Sequence, residues 1–260
     1  MKKAILIVAC IVIMITAVLL TGCVSPIITK DAGPTTTRNY DFTDFTSIEI
    51  GNAFKLEVTR ADTYSIQIDA SESIFDNIKV TKTGNKLEIG IDRLFFQFNR
   101  SPRVKITMPE LRGLDMSGAS EGNVTGFKSS QDFNLVLSGA SELDFDMETG
   151  GFKCGVSGAS RVTGNLKSSS SNINLSGASR IELAGSGGNI RLDASGASHA
   201  DLANFTVNDG DIDFSGASSA SLDINGTLDA DLSGASSVRY SGDPKLGEFN
   251  ITGGSSLTRR

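Results

Sequence analysis

The sequence contains few of the residues on which small secreted folds and many active sites depend. In 260 residues it has no tryptophan, five prolines, three cysteines and one histidine. Cys10 and Cys23 belong to an N-terminal segment described below, which leaves Cys154 alone in the remainder of the chain. No intramolecular disulfide is therefore predicted there. Cys154 occupies a position that alternates with polar residues, and we expect it to be a small buried hydrophobe.

The chain also lacks an excess of basic residues. Its formal net charge is −6 and its calculated pI is about 4.9. Proteins that bind nucleic acid need clustered lysine and arginine side chains. The charge therefore argues against a nucleic-acid partner.

Catalytic motifs are equally sparse. The single histidine, His199, precedes Asp201 by two residues, but serines are abundant around it and the local alternation places both side chains outward. A match of this kind without its structural context is weak evidence, so no catalytic residue is assigned. No Gly-x-Ser-x-Gly pattern is followed by a helical stretch. Because some parallel β-helices cleave polysaccharides, a polysaccharide-active enzyme is kept as the alternative.

What the sequence does contain is a four-residue phrase, Ser-Gly-Ala-Ser, that recurs with a nearly fixed period. Successive copies begin 18 to 21 residues apart, and a degenerate copy, Thr-Gly-Gly-Ser, occupies 252–255. A period of this length is typical of a solenoid. The seven full copies are Ser117–Ser120, Ser138–Ser141, Ser157–Ser160, Ser176–Ser179, Ser195–Ser198, Ser215–Ser218 and Ser233–Ser236.

The residues on both sides of the phrase alternate between apolar and polar. Leu135 and Leu137 precede one copy, for example, and Leu143 and Phe145 follow it. This period of two is that of a β-strand, and about 19 residues are too few for a βαβ unit, which needs roughly 30. We therefore predict an all-β fold, a right-handed parallel β-helix (β-solenoid) with about 19 residues per coil. The hand follows from the preference of parallel crossovers.

Each phrase is predicted to form a tight corner between two strands. Glycine supplies the unusual dihedral angles of such a corner, and small neighbours allow coils to stack closely. The serines would then form a ladder of hydroxyl groups along one edge, which we interpret first as structural. The corner glycines are Gly118, Gly139, Gly158, Gly177, Gly196, Gly216 and Gly234.

The N-terminus is typical of a secreted lipoprotein. Lys2 and Lys3 precede an apolar run, Ala4–Leu20, which is followed by Thr21, Gly22 and Cys23. This arrangement indicates a secretory signal, and the Leu-Thr-Gly-Cys end resembles a bacterial lipobox. The resemblance implies that residues 1–22 are removed and that Cys23 carries lipid. An uncleaved membrane anchor is the weaker alternative. Residues 23–39 are predicted to be a linker from the membrane.

Residues 40–110 are β-rich, but the repeat is blurred there. Ile48–Val58 overlays on Leu135–Phe145, and Ile66–Ser71 is interpreted as a poorer copy. Further strands are predicted at Ile78–Lys82, Lys86–Ile91 and Val104–Met108, and the apolar segment Leu94–Phe98 is expected to pack over the end of the solenoid. This atypical part is either degenerate coils or a β cap, because an open end would otherwise pair with other chains. Residues 111–260 are assigned to the Ser-Gly-Ala-Ser coils.

One outward column carries several carboxylates. If the coils stack in register, Asp193, Asp213 and Asp231, each two residues before a phrase, form a row with a spacing of about 4.8 Å. A solvated face is the first interpretation. The alternative is a weak Ca²⁺ site or a surface that binds sugar hydroxyls, since hard cations prefer oxygen ligands. No other cofactor is predicted.

Several of these segments together resemble the autotransporter adhesin head GIN domain family. They are the lipobox, Phe45–Ile50, Lys86–Ile89, Val104–Leu111 and the serial Ser-Gly-Ala-Ser phrases. The resemblance extends from about Asp41 to the end, and it implies a β-helical protein that is secreted or attached to a surface, without a catalytic motif.

The sequence as a whole predicts a non-enzymatic lipoprotein of the cell envelope. It would be anchored to a membrane through Cys23 and would present the solenoid outside the cytoplasm for adhesion or surface structure. Its expected partner is a surface glycan or protein. Recognition by a flat hydroxyl ladder is a weaker alternative, because corner glycines make that ladder narrow.

Overall fold

The solenoid prediction is confirmed. The computed structural model describes residues 28–29, 34–92, 96–97 and 101–260. These residues form a β-solenoid with roughly 19 residues per turn. The predicted signal segment, Cys23 and most of Leu94–Phe98 lie outside the described residues. The described part contains no helix long and apolar enough to cross a membrane.

The strands follow one another with one short helix, α1 (Glu72–Phe75), between the fifth and sixth. They are β1 (Ile28–Thr29), β2 (Thr35–Tyr40), β3 (Ser47–Ile50), β4 (Lys55–Arg60), β5 (Ser65–Ser71), β6 (Ile78–Thr83), β7 (Lys86–Ile91), β8 (Phe96–Gln97), β9 (Arg103–Met108), β10 (Gly113–Met116), β11 (Glu121–Lys128), β12 (Phe133–Leu137), β13 (Glu142–Val156), β14 (Arg161–Leu175), β15 (Arg180–Ser186), β16 (Asn189–Ala194), β17 (His199–Val207), β18 (Gly210–Phe214), β19 (Ser219–Ile224), β20 (Thr227–Leu232), β21 (Ser237–Ser241), β22 (Lys245–Ile251) and β23 (Ser256–Arg259).

Each coil has two faces, which meet at the Ser-Gly-Ala-Ser corner. The upstream face consists of the strands that lead into the corners, stacked in parallel in the order β7–β3–β10–β12–β13–β14–β16–β18–β20–β22. The downstream face consists of the strands that leave the corners, in the order β9–β4–β11–β13–β14–β15–β17–β19–β21–β23. β13 and β14 are long enough to belong to both faces.

The core is a set of in-register columns between these two faces. Leu135, Cys154, Ile173 and Leu192 stand opposite one another in successive strands, and all four are buried. Their neighbours in the chain point outward because side chains of a strand alternate between its faces. The predicted burial of Cys154 is confirmed. Burying an aliphatic side chain contributes about 1.5–3 kcal/mol, so a stack of such columns stabilises the coil strongly.

The blurred N-terminal part contains both coils and a cap. β3 and β4 form a coil that aligns with the first Ser-Gly-Ala-Ser coil, as the overlay of Ile48–Val58 predicts. The coil made by β7 and β9 comes later in the sequence, yet it lies on the outer side of β3 and β4. Antiparallel strands then cover this end: β6 pairs with β7, β5 pairs with β9, and β2 pairs with β5.

Two sequence interpretations need correction here. Ile66–Ser71 is not a poorer copy of the repeat, because β5 runs antiparallel to β9 and leads into α1 instead of a glycine corner. An alternating pattern specifies a strand but not its direction. The linker also ends earlier than residue 39, since Thr35–Tyr40 forms β2. Three consecutive threonines favour a strand because their β-branched side chains fit a pleated surface.

Candidate functional site

The corners hold an ordered set of small residues. The corner glycines have positive φ angles, for example +76° at Gly177. A Cβ atom on Gly177 would lie 2.7 Å from the carbonyl oxygen of Gly158, so neither the dihedral angle nor the spacing admits a side chain. The alanine that follows donates its N–H to the previous glycine carbonyl, as Ala178 does to Gly158 at 2.8 Å. The parallel ladder therefore continues without a break through the corners.

The two serines of each phrase have opposite environments. The fourth residue is buried at every full copy, from Ser120 to Ser236. Its hydroxyl typically donates to the carbonyl oxygen three residues earlier, as Ser198 does to Ser195 at 2.8 Å. Such a bond is needed because a buried hydroxyl without a partner is costly. The predicted hydroxyl ladder therefore consists of two sets: the fourth serines are buried, and only the first serines face solvent or are half-buried.

An open groove runs across the coils beside this edge, on the upstream face. We call it the corner groove, and its volume is about 450 Å³. One side is the first serine of successive phrases, and the other is the outward column two residues before each phrase. These lining residues are Ser157, Ser176, Ser195 and Ser215 on the first side, and Val136, Gly155, Asn174, Asp193 and Asp213 on the second.

The chemistry of the corner groove changes along its length. Val136 and Gly155 give it a small, apolar end, whereas Asn174, Asp193 and Asp213 give it amide and carboxylate groups. The hydroxyl groups of the serine side add both donors and acceptors. Such a surface can form hydrogen bonds with a polar, hydroxyl-rich chain.

The acidic row is in register, as the sequence predicts. Asp193 pairs with Asp213, and Asp213 with Asp231, in consecutive upstream strands. Arg191, two residues before Asp193 in β16, lies against this row. Its guanidinium contacts Asp193 at 3.2 Å and Asp211 at 2.5 Å, which offsets part of the negative charge. These contacts also hold the pKa of Arg191 above its usual value, with the hydrogen bond to Asp193 as the largest cause.

The row does not form a compact chelating cluster. In the part of the chain that the structure describes, no three His, Cys, Asp or Glu side chains are placed so that they could hold a metal ion. The next side chain along the row is also engaged, because Asn250 donates its amide to Asp231 at 3.2 Å. The Ca²⁺ site at Asp193, Asp213 and Asp231 stays a prediction from the sequence.

His199 lies on the other face, away from the corner groove. Its Nδ1 atom is 2.8 Å from the hydroxyl oxygen of Ser219 in the next coil. Asp201 instead accepts the backbone N–H of Ala203 at 3.4 Å. Burial is the main cause of a lowered pKa at His199, and nearby Arg180 adds to it, so the ring is predominantly neutral at pH 7. These contacts are those of a structural histidine.

Cys154 also has no feature of a reactive site. It is a free thiol in the centre of the core. Burial raises the pKa of the Cys154 thiol, which keeps it protonated and unreactive.

The last coil carries a feature that sequence reasoning missed. Leu246, Phe249 and Ile251 are 53%, 36% and 43% exposed, and they are the large exposed hydrophobic side chains of the described residues. Ile251 and Phe249 stand one and three residues before the copy at 252–255, where the alternation predicts inward side chains, so the expectation of burial fails for them. The position of β22 at the end of the stack could have revealed this exposure, because an inward column needs a coil on both sides.

Comparison with known proteins defines the family. A family model described as "Putative auto-transporter adhesin, head GIN domain" matches residues 44–244, which is most of the chain. The chain belongs to this family. The resemblance noted from the sequence is thereby confirmed, and membership of an adhesin-head family indicates an extracytoplasmic surface protein. No curated protein sequence matches this GIN-domain chain significantly.

Solved structures share the fold. A protein from Parabacteroides distasonis ATCC 8503, titled a "Putative lipid binding protein", has a TM-score of 0.84 at 16% identity, covering 90% of this chain and 99% of its own. Two structures titled putative adhesins are also similar. That from Parabacteroides merdae ATCC 43184 has a TM-score of 0.82 at 16% identity, covering 90% and 98%. That from Bacteroides fragilis NCTC 9343 has 0.68 at 18%, covering 90% and 100%. At these identities the likeness shows the fold alone.

Proposed function

We propose that this GIN-domain chain is a non-enzymatic surface lipoprotein that serves adhesion, anchored to a membrane through lipid on Cys23. The observation that carries the proposal is the match of the adhesin-head family over residues 44–244. The architecture supports it, because the capped end of the solenoid is the one nearest in sequence to Cys23. A chain anchored there holds its cap towards the membrane and directs the Ser-Gly-Ala-Ser coils away from it.

The corner groove is the recognition surface in this proposal. Its hydroxyl, amide and carboxylate groups suit a surface glycan, which offers many hydroxyl donors and acceptors. The groove crosses several coils, so an extended chain can contact the same type of residue repeatedly. The polysaccharide-cleaving alternative receives no support from the family description.

Anchoring is tested by changing the predicted lipidation site. We expect Cys23→Ser to move the protein from the membrane fraction to the soluble fraction, since a thiol is required for attachment of the lipid. Membrane association that persists in Cys23→Ser would contradict the lipoprotein part of the proposal and favour an uncleaved signal anchor.

Recognition is tested by filling the groove. Gly155 is suited to this because a Cβ added there meets no atom within 4 Å. We expect Gly155→Gln to reduce binding to an array of immobilised surface glycans at least about tenfold, by occupying the groove with a bulky side chain. Asn165→Gln is the control, because Asn165 is exposed on the downstream face. Glycan binding that is unchanged in Gly155→Gln would exclude the corner groove.

A further inference from the structure

The two ends of the solenoid differ in whether other strands cover them. The N-terminal end is covered by antiparallel strands, and its outermost strand, β2, carries mainly polar residues. At the other end, β22 pairs with β20, and β23 pairs with β21; no other strand of the described residues covers them. An uncovered edge of this kind presents unpaired N–H and C=O groups to any strand that can approach.

The exposed apolar side chains lie at this same uncovered end. Ile251 stands in register with Leu232, and Phe249 with Ala230; both partners are buried one coil earlier. The exposure of Ile251 and Phe249 therefore results from a missing layer and not from a change of side-chain direction. A further coil placed on β22 and β23 would bury them in the same way.

The edge also carries charges of both signs. Glu248 lies on β22, Arg259 is the last residue of β23, and Arg260 follows it; all three are exposed. Arg259 already contacts Asp243 at 3.0 Å. No salt bridge of Glu248 or Arg260 is found among the described residues, which leaves one acidic and one basic group available on each copy.

We propose that this C-terminal end binds a second copy of the same chain, end to end. In this arrangement a two-fold axis runs parallel to the strands. It places β22 of one protomer antiparallel to β23 of its partner, and β23 of the first protomer antiparallel to β22 of the partner. The inward residues Ile251 and Leu257 then oppose each other across the junction. In this antiparallel register Glu248, three residues before Ile251, lies opposite Arg260, three residues after Leu257.

Self-complementarity is the reason for choosing a second copy as the occupant. The two-fold axis repeats every contact, so the dimer gains the Ile251–Leu257 and Glu248–Arg260 contacts twice. Both edges also gain backbone hydrogen bonds. By the same count Phe249 lies opposite the aliphatic stem of Arg259, so Ile251 and Phe249 of each copy are covered by side chains of the other. No residue of like charge has to be opposed.

This inference deepens the proposed adhesion and rests on it for its biological meaning. In the end-to-end dimer, the capped ends and the predicted lipid anchors point in opposite directions. Two chains anchored in different membranes could therefore join through their C-terminal ends. The partner in adhesion would then include the same protein on an opposing surface.

Charge reversal provides the test. The full chain is solubilised in detergent, and its association is measured by sedimentation equilibrium. We expect a concentration-dependent dimer. Glu248→Lys places an ammonium group opposite Arg260, and Arg260→Glu places two carboxylates opposite each other, so each variant alone should dimerise about tenfold more weakly or worse. Thr258→Lys, an exposed change in the same coil, is the control and should have a smaller effect.

Mixing the two variants tests whether Glu248 and Arg260 face each other across the junction. A heterodimer of Glu248→Lys with Arg260→Glu restores opposite charges at both junctions, so the mixture should dimerise again, and so should the double variant. A monomer at all concentrations, or a dimer that is indifferent to both single changes, would overturn the proposal. Neither result would bear on glycan binding or membrane anchoring, which are measured separately.

Discussion

At the scale of single residues, the corner phrase performs two distinct tasks. Its glycine adopts a positive φ angle at close contact with the glycine of the previous coil, as Gly177 does with Gly158. Its last serine occupies a buried position where the chain passes from one face of the coil to the other. The earliest corner shows the alternative, because Phe54 fills the corresponding position and is fully buried. Serine is tolerated since its hydroxyl finds a backbone acceptor inside the turn.

Two serines of one corner should therefore differ in their contribution to stability. Ser198→Ala removes a buried hydroxyl that donates to the Ser195 carbonyl and lies 3.3 Å from the hydroxyl of Ser179. We expect it to lower the free energy of unfolding by about 1–2 kcal/mol, measured by urea denaturation. Ser195→Ala, an exposed change three residues earlier, should stay within about 0.5 kcal/mol. Equal effects would show that the buried hydroxyl bonds contribute nothing specific.

At the scale of strands, the direction of each side chain decides whether a substitution reaches the core. Leu175 is buried between Val156 and Ala194 in neighbouring strands, whereas Asn174 points outward between Gly155 and Asp193. The register of every coil is set by this alternation, since a shift by one residue would turn all apolar side chains to solvent.

Aspartate substitutions made separately at two adjacent positions test this alternation. Leu175→Asp places an unpaired carboxylate in the core and should cost more than about 4 kcal/mol of unfolding free energy. Asn174→Asp is expected to cost less than about 1 kcal/mol, from repulsion by the exposed row that includes Asp193. Thermal denaturation of the two variants gives the comparison, and similar losses in both would refute the assigned register.

At the scale of the whole molecule, stability is distributed along one dimension. Each coil contacts mainly the coils before and after it, so the coils at the ends have fewer neighbours than those in the middle. The antiparallel strands compensate for this at the N-terminal end. The coil of β22 and β23 has a neighbour on one side and is therefore expected to open more readily than the rest.

Hydrogen exchange measures this gradient directly. In dilute protein, we expect the amides of β22 and β23 to exchange faster than those of β13 and β14, by about two orders of magnitude or more. If the end-to-end dimer forms, a higher protein concentration should slow exchange in β22 and β23 selectively. Exchange that is uniform along the solenoid at low concentration would contradict the one-dimensional description.

The sequence alone determined the repeating part of this protein. A period of about 19 residues with local alternation specifies which side chains face inward, and a glycine at each corner specifies where the chain turns. The columns through Leu135 and Leu175 and the register of Asp193 with Asp213 follow from these two rules. Both rules are local, so they could be read from neighbouring residues without knowing which strands meet.

The features that depend on pairing between segments far apart in the sequence were decided only by the tertiary structure. It placed the later coil of β7 and β9 outside β3 and β4, reversed the direction of β5, and joined the guanidinium of Arg191 to both Asp193 and Asp211. It also showed that Phe249 and Ile251 are exposed although they continue buried columns. Alternation encodes the face on which a side chain lies, but not which strand lies beside it. Whether a neighbour exists at all is settled by the stacking of the whole chain.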